Sequence, residues 1–328
     1  MKKNYSALSF LQKPFLFLLS LVVLAGAMSS CGDKDEAEPK SVADVIVENS
    51  DFSLLSAAVT RAGMGDALRG GTLTVFAPTN AAFQAAGYAD AAAINALPVE
   101  QLRAIIQYHV LNGRVTVTDI PGSSGNQPQA VQTAQGGTAY LYKGSDNSLF
   151  MNGAAVVQAD MQVANGIIHT ISRLLMPPPT TNGTILGVIA GNPNLTLLNA
   201  AVQRIATAPA NASLVAQLTN ASQAFTVFAP TDAAFQAANY ANVAAINAAP
   251  IPTLTAVLSN HIVAGRLFSN SLTTGNLTSV GNGQLTLTSG ANGVTVRSRG
   301  ITTAANVTSP NGVGTNGVVH VVDRVLVP

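Results

Sequence analysis

Four histidines and one cysteine are the side chains of this 328-residue chain best suited to nucleophilic, acid–base or metal chemistry. His109 and His169 form one pair, and His261 and His320 repeat it at nearly the same separation. Two imidazoles are only part of a zinc site, which takes three or four ligands. No Cys, Asp or Glu accompanies both pairs at matched positions. Each histidine instead shares a face with aliphatic residues. The pattern therefore predicts neutral, buried, hydrogen-bonded histidines, with no metal and no cofactor.

The elements carrying them follow from local patterning. Leu102, Ile105, Ile106 and His109 fall at i, i+3, i+4 and i+7, as do Leu254, Val257, Leu258 and His261, so each set marks one face of a helix. Pro98 and Pro250 suit the first turns of these helices. His169 alternates with Ile167 and Ile171, and His320 with Val318 and Val322, which is strand spacing. An Asn-Gly pair opens each of these strands and signals a type I′ hairpin. The middle segments "GGTAYLYKG" and "GNGQLTLTSGANGVTVRS" read as short antiparallel strands.

Both histidine pairs belong to a tandem duplication. Thr74–Arg114 aligns with Thr226–Arg266, with 25 of 41 positions identical. "NGIIHTISRLLMP" (Asn165–Pro177) aligns with "NGVVHVVDRVLVP" (Asn316–Pro328). The copies are expected at 41–177 and 184–328, joined by a proline-rich linker at 178–183 that limits reorientation. In "TVFAPTNAAF" and "TVFAPTDAAF" a buried strand ends at proline. Asn80 or Asp232 is expected to cap the following helix, and Gly87 or Asn239 to stop it.

Charged residues make up 9% of the chain, the net charge is +1 and no basic stripe occurs, which excludes nucleic acid as the expected partner. Lys2, Lys3 and Lys13 precede a 13-residue apolar run, Phe15–Ala27, too short to span a bilayer. Residues 1–30 thus read as a signal peptide. Cys31 follows Ser29-Ser30 and has no disulfide partner in the chain. This arrangement resembles a bacterial lipoprotein signal, in which the cysteine is lipidated. Cleavage after Ala25-Gly26-Ala27 would instead leave it a plain thiol. The acidic stretch 31–40 resembles the tether of some surface-exported Gram-negative lipoproteins; a plain solvated spacer is the alternative.

"TVFAPTNAAF", Tyr108-His109 and the closing "NGIIHTISRLLMP" resemble the signature blocks of the fasciclin domain family. The resemblance implies an α+β fold of two tandem fasciclin-like domains. Each would be a β-wedge or sandwich of short, mostly antiparallel strands, with helices in its N-terminal half. It also implies an adhesion or matrix-binding protein rather than an enzyme, with Tyr108, His109, Asp160 and Met161 as the partner-binding residues. The second copy departs at Asn260 and Asn311. His169, His261, His320, Asn80 and Asp232 are structural in this reading.

No G-x-S-x-G, H-E-x-x-H or G-x-x-x-x-G-K motif occurs. The glycines Gly312, Gly314 and Gly317 spell G-x-G-x-x-G, but they open a strand and lack the helix N-terminus that binds pyrophosphate. The expected function is adhesion or partner binding at the outer membrane surface. The partner would be a surface or matrix protein or a glycan, and the membrane would be held through a lipid on Cys31. A periplasmic envelope-organising lipoprotein and a polysaccharide-binding accessory to nutrient uptake are the alternatives.

Overall fold

The computed structural model describes residues 39–120, 128–144, 146–180, 182–220, 222–290 and 293–328. The expected signal peptide, Cys31 and nearly all of the tether lie outside the described residues. No helix among the described residues is long and apolar enough to cross a membrane.

In the first copy the strands are β1 (Leu73–Pro78), β2 (Val110–Asn112), β3 (Gln129–Gln132), β4 (Thr138–Lys143), β5 (Leu149–Met151), β6 (Ala154–Val163) and β7 (Gly166–Ile171). They form one sheet in the order β2-β1-β7-β6-β5-β4-β3. The second copy repeats it with β8 (Phe225–Pro230), β9 (Ile262–Ala264), β10 (Gly275–Thr278), β11 (Gln284–Gly290), β12 (Gly293–Ser298), β13 (Ala305–Gly314) and β14 (Gly317–Val322), in the order β10-β11-β12-β13-β14-β8-β9. Helices come first along each copy and strands dominate its second half, giving the α+β architecture that the periodicities predicted.

The strand of "TVFAP" and the strand carrying the second histidine pair in parallel, β1 with β7 and β8 with β14. Every residue of these four strands is buried. A parallel pair covered on both faces needs apolar residues on both, and β1 supplies them. Val75 and Ala77 enter a core formed with the helices Ser53–Ala62 and Val99–Tyr108, while Phe76 enters a second core among the strands. The second copy divides its core in the same way around Val227, Ala229 and Phe228.

The helix-stop expectation holds. Gly87 has φ +93° and Asn239 has φ +66°, both left-handed just past the helices Asn80–Ala85 and Asp232–Ala237. The cap is different from that expected. Thr79 and Thr231 are the N-caps, each accepting from the backbone N–H three residues on at 3.2 Å. Asn80 and Asp232 sit one residue inside, and their side chains turn to another helix. Asn80 Oδ1 accepts from the Leu54 N–H at 2.9 Å, and Asp232 Oδ1 from the Leu197 N–H at 2.8 Å. They cap a helix about thirty residues upstream, locking it onto the strand–helix corner. Asn and Asp interchange because Oδ1 does the same work in both. The second oxygen of Asp232 accepts from the Thr196 hydroxyl, whereas Asn80 Nδ2 donates to the Ser50 carbonyl.

The Asn-Gly signal is also reinterpreted. The hairpin is present, but its loop is Ala164–Asn165, and neither residue has positive φ as type I′ requires. Asn165 is a clamp: Oδ1 accepts from the Val42 N–H and Nδ2 donates to the Leu68 carbonyl. Asn316 does the same for Ile185 and Leu218. Gly166 is required by closeness, since a Cβ there would lie 1.9 Å from the Leu73 carbonyl oxygen. At Gly317 the clash would be with Phe225 O at 2.1 Å. Gly166→Ala or Gly317→Ala should therefore destabilise the protein by about 3 kcal/mol or more. Denaturant unfolding checks this, and a change below about 1 kcal/mol would contradict it.

Candidate functional site

All four histidines are buried, and both ring nitrogens of each are engaged. At the C-terminus of its helix, His109 donates from Nδ1 to the Ile105 carbonyl (2.7 Å) and accepts at Nε2 from the Leu175 N–H (3.0 Å). His261 repeats this with Val257 and Leu326, both at 2.8 Å. These two rings tie a helix end to the segment that follows the last strand. His169 and His320 use the opposite tautomer. His169 Nε2 donates to Val115 O (2.8 Å) and Nδ1 accepts from the Asp160 N–H (3.2 Å). His320 does so with Leu267 (2.8 Å) and Asn311 (3.3 Å). No lone pair is left for a metal, and no cluster of three His, Cys, Asp or Glu exists among the described residues.

Burial lowers the pKa of every one of them. It pulls His109, His261 and His320 to about 4 and His169 downward, with the carbonyl acceptors opposing it only in part. They are neutral structural staples rather than acid–base groups at neutral pH.

Tyr108 is 0% exposed. Its hydroxyl donates to the Thr138 carbonyl and accepts from Asn152 Nδ2, both at 2.9 Å, and burial pushes the phenol pKa up. Asp160 lies in a bulge of β6 with φ +56°, a conformation that short Asx side chains tolerate. Its carboxylate accepts from the Val117 N–H (3.0 Å), holding the short turn after β2. In the second copy Asn311, with φ +68°, accepts from Ser269 (2.8 Å) in the same way. Met161 is half-buried and packs against the helical core. The structure thus corrects the expected partner-binding set. Tyr108 and His109 are interior, Asp160 braces the backbone, and the four side chains do not form one surface. Their spacing marks structural staples, which the apolar stripe around His109 already hinted at.

An aromatic contact joining the two copies was not anticipated. Tyr142 on β4 stacks on Phe150 (5.3 Å between centroids) and on Phe268 of the second copy (5.7 Å). Its hydroxyl bonds Asn270. Val313 and Val318 complete the cluster. The guanidinium of Arg266 lies 3.9 Å from the centre of the Tyr140 ring. The same guanidinium donates to the carbonyls of Gly314, Thr315 and Gly317 at 2.8–2.9 Å, so the cation is held by its own copy and presented to the other. The signal was present in "TAYLYKG". Ala139 and Leu141 point inward, which leaves Tyr140 and Tyr142 together on the outer face.

A family model described as the Fasciclin domain matches residues 50–177 and 200–328. The chain belongs to the fasciclin domain family. It is 34% identical over 144 residues to Protein sll1483 of Synechocystis, a match covering 42% of this chain and 74% of that protein. It is 37% identical over 142 residues to transforming growth factor-beta-induced protein ig-h3 of Sus scrofa (42% of this chain) and 36% identical over 115 residues to cell surface glycolipoprotein MPB83 of Mycobacterium bovis (34%). The chain spans only 19% and 47% of the length of these two relatives. Among solved structures, a FAS1 domain pair from the insect cell adhesion molecule fasciclin I aligns with 87% of this chain and 95% of its own, at 20% identity and a TM-score of 0.39.

The helices Val42–Glu48 and Ile185–Ala190 lie outside the spans matched by the fasciclin model, yet Val42 and Ile185 are fully buried in the helical cores. Two predictions follow from the buried network. The histidine pKa values are depressed, so the unfolded chain binds more protons between about pH 6.5 and 4. Stability is full above that window and falls as pH drops through it, by up to about 3 kcal/mol for each of His109, His261 and His320. Unfolding free energies at pH 7 and 4.5 check this, and a flat profile would contradict it. Tyr108→Phe leaves Asn152 Nδ2 without its acceptor and should cost about 1–3 kcal/mol while leaving partner binding intact.

Proposed function

We propose that this fasciclin-domain protein is an exported, non-catalytic adhesion module. It is anchored by a lipid on Cys31 at the outer membrane, faces outward, and binds a surface or matrix protein or a glycan through its domain surfaces. The observation that carries the reading is the fate of the reactive side chains. The histidines and Tyr108 are spent on backbone and amide partners inside the domains, so recognition falls to the exterior. The family adds support, since one relative is a cell surface glycolipoprotein. The aromatic contact favours presentation of both domains as one unit.

The test uses intact cells that make the full-length chain. Protease added outside should remove the protein, and cells bearing it should attach to protein- or glycan-coated surfaces better than cells lacking it. Cys31→Ser should release the protein from the membrane fraction. A protease-protected protein would favour the periplasmic alternative. Attachment no better than that of the deletion strain on every surface would end the adhesion reading.

A further inference from the structure

The geometry points to an anion-recognising site in the second fasciclin domain that binds an acidic polysaccharide, with carboxylate- or sulfate-bearing sugars as its chemical class. The first copy buries the pair Tyr108–Asn152. The second carries Asn260 where Tyr108 stands, and Arg297 where strand register places Asn152. Both members of an interior pair are thus exchanged. Asn260 is satisfied by Leu326 O (2.9 Å) and the Ser279 hydroxyl (3.1 Å), and its shorter side chain puts no ring there. A cavity of about 610 Å³ opens there, lined by Arg297, Arg299, Asn282, Gln284, Thr286 and Ser298 among others.

The charge around it has one sign. From 184 to 328 the chain has five arginines, no lysine, two aspartates and no glutamate, a net +3. The first copy, 41–177, has six basic and nine acidic residues, a net −3. Both aspartates of the second copy are committed elsewhere, Asp232 to Leu197 and Thr196, and Asp323 to Asn306. Arg266 is consumed at the contact between copies. Arg297, Arg299 and Arg324 are exposed, and none makes an ion pair or hydrogen bond among the described residues. Arg324 lines a second cavity of about 320 Å³ that shares Ile301 with the first. Exposed guanidinium groups with no acidic partner give this surface a positive potential that attracts anions.

The remaining lining decides the class. Amides and hydroxyls of Asn282, Gln284, Thr286 and Ser298 match sugar hydroxyls, and guanidinium groups match carboxylate or sulfate in paired geometry. A concave site whose apolar side chains are Ile301 and Pro328 alone suits a polysaccharide better than a lipid surface, where a broader apolar face would enter the acyl boundary. No aromatic residue lines the cavity, so binding rests on charge and hydrogen bonds and weakens with salt.

This deepens the adhesion reading and rests on it, and the test separates the two. Detergent-extracted full-length protein is titrated with an oligogalacturonate, a neutral galactose oligomer of equal length, and phosphatidylglycerol vesicles. The expected result is binding of the uronate oligomer alone, weakening as salt rises. The double substitution Arg297→Gln with Arg299→Gln should cut the affinity at least tenfold with an unchanged melting temperature. Asn260→Tyr, which returns the ring to the cavity, should lower it as well. Equal binding of the neutral oligomer, preference for vesicles, or unimpaired binding by the double variant would overturn the site. Failure of the oligomer to bind while cells still attach overturns this site alone. Binding with no cell attachment overturns adhesion and leaves the site standing.

Discussion

Each domain depends on two six-residue strands, distant in sequence, that pair side by side and meet so closely at their first residues that a Cβ cannot fit there. Leu73 O sits where the side chain of residue 166 would begin, and Phe225 O where that of residue 317 would. This approach closes the chain on itself, because β1 comes early in the domain and β7 ends it. The helical core covers one face of the pair and the strand core the other. Aromatics are only 5% of the chain and Trp is absent, so aliphatic packing does most of the apolar work. Irregular segments around the pair are then fastened by buried polar side chains. Thr74 Oγ1 donates to Gly113 O and accepts from the Val115 N–H, and Thr226 repeats this with Gly265 and Leu267. His169 takes up the Val115 carbonyl in turn. These bonds gain little individually but would be expensive to leave unmade, which explains why histidines, threonines and clamp asparagines recur in both copies.

What was legible in the sequence was what depends on near neighbours. The i, i+3, i+4 stripe on Leu102, Ile105 and Ile106 placed a helix because periodicity reports which face is buried. Gly87 and Asn239 announced their helix stops because few residues accept a left-handed conformation. The duplication set the domain register without any structural knowledge. What was not legible depends on where side chains reach in three dimensions. Asn80 stands at a helix start and so reads as its cap, but Thr79 already fills that role, and only the fold brings Leu54 within 2.9 Å. The family resemblance places Tyr108 in a partner-binding set, while the Asn152 that holds its hydroxyl is 44 residues away and invisible to any local pattern. Local pattern shows that a residue is special; the packed chain shows what it is special for.

Duplication gave two copies of one sheet and left their outer faces free to diverge. On β4 and β5 the outward residues Tyr140, Tyr142 and Phe150 seat against the second copy. The equivalent positions on β11 and β12 are Thr286, Thr288 and Thr295, polar and at least partly open to water. The receiving shoulder is equally one-sided, since Phe268 has Thr116 as its counterpart in the first copy. Were both aromatic face and shoulder present in both copies, the same contact could repeat from molecule to molecule and propagate head to tail, as heterologous interfaces do. With each present only once, the contact closes after two domains.

The same asymmetry explains why a binding site would arise in the second domain and not the first. In the first copy the β4–β5 face is occupied by its neighbour, and Asn152, on the strand end beside it, turns inward to Tyr108. That face is closed to an outside partner while the contact holds. In the second copy the corresponding face carries no such duty. Substitutions there, Asn260 for tyrosine and Arg297 for asparagine, cost no contact between domains. They lose one ring from the interior, and the Ser279 and Leu326 hydrogen bonds to Asn260 satisfy its polar atoms. One copy thus turned its outer face into glue. The other carries exposed, unpaired arginines around an open cavity.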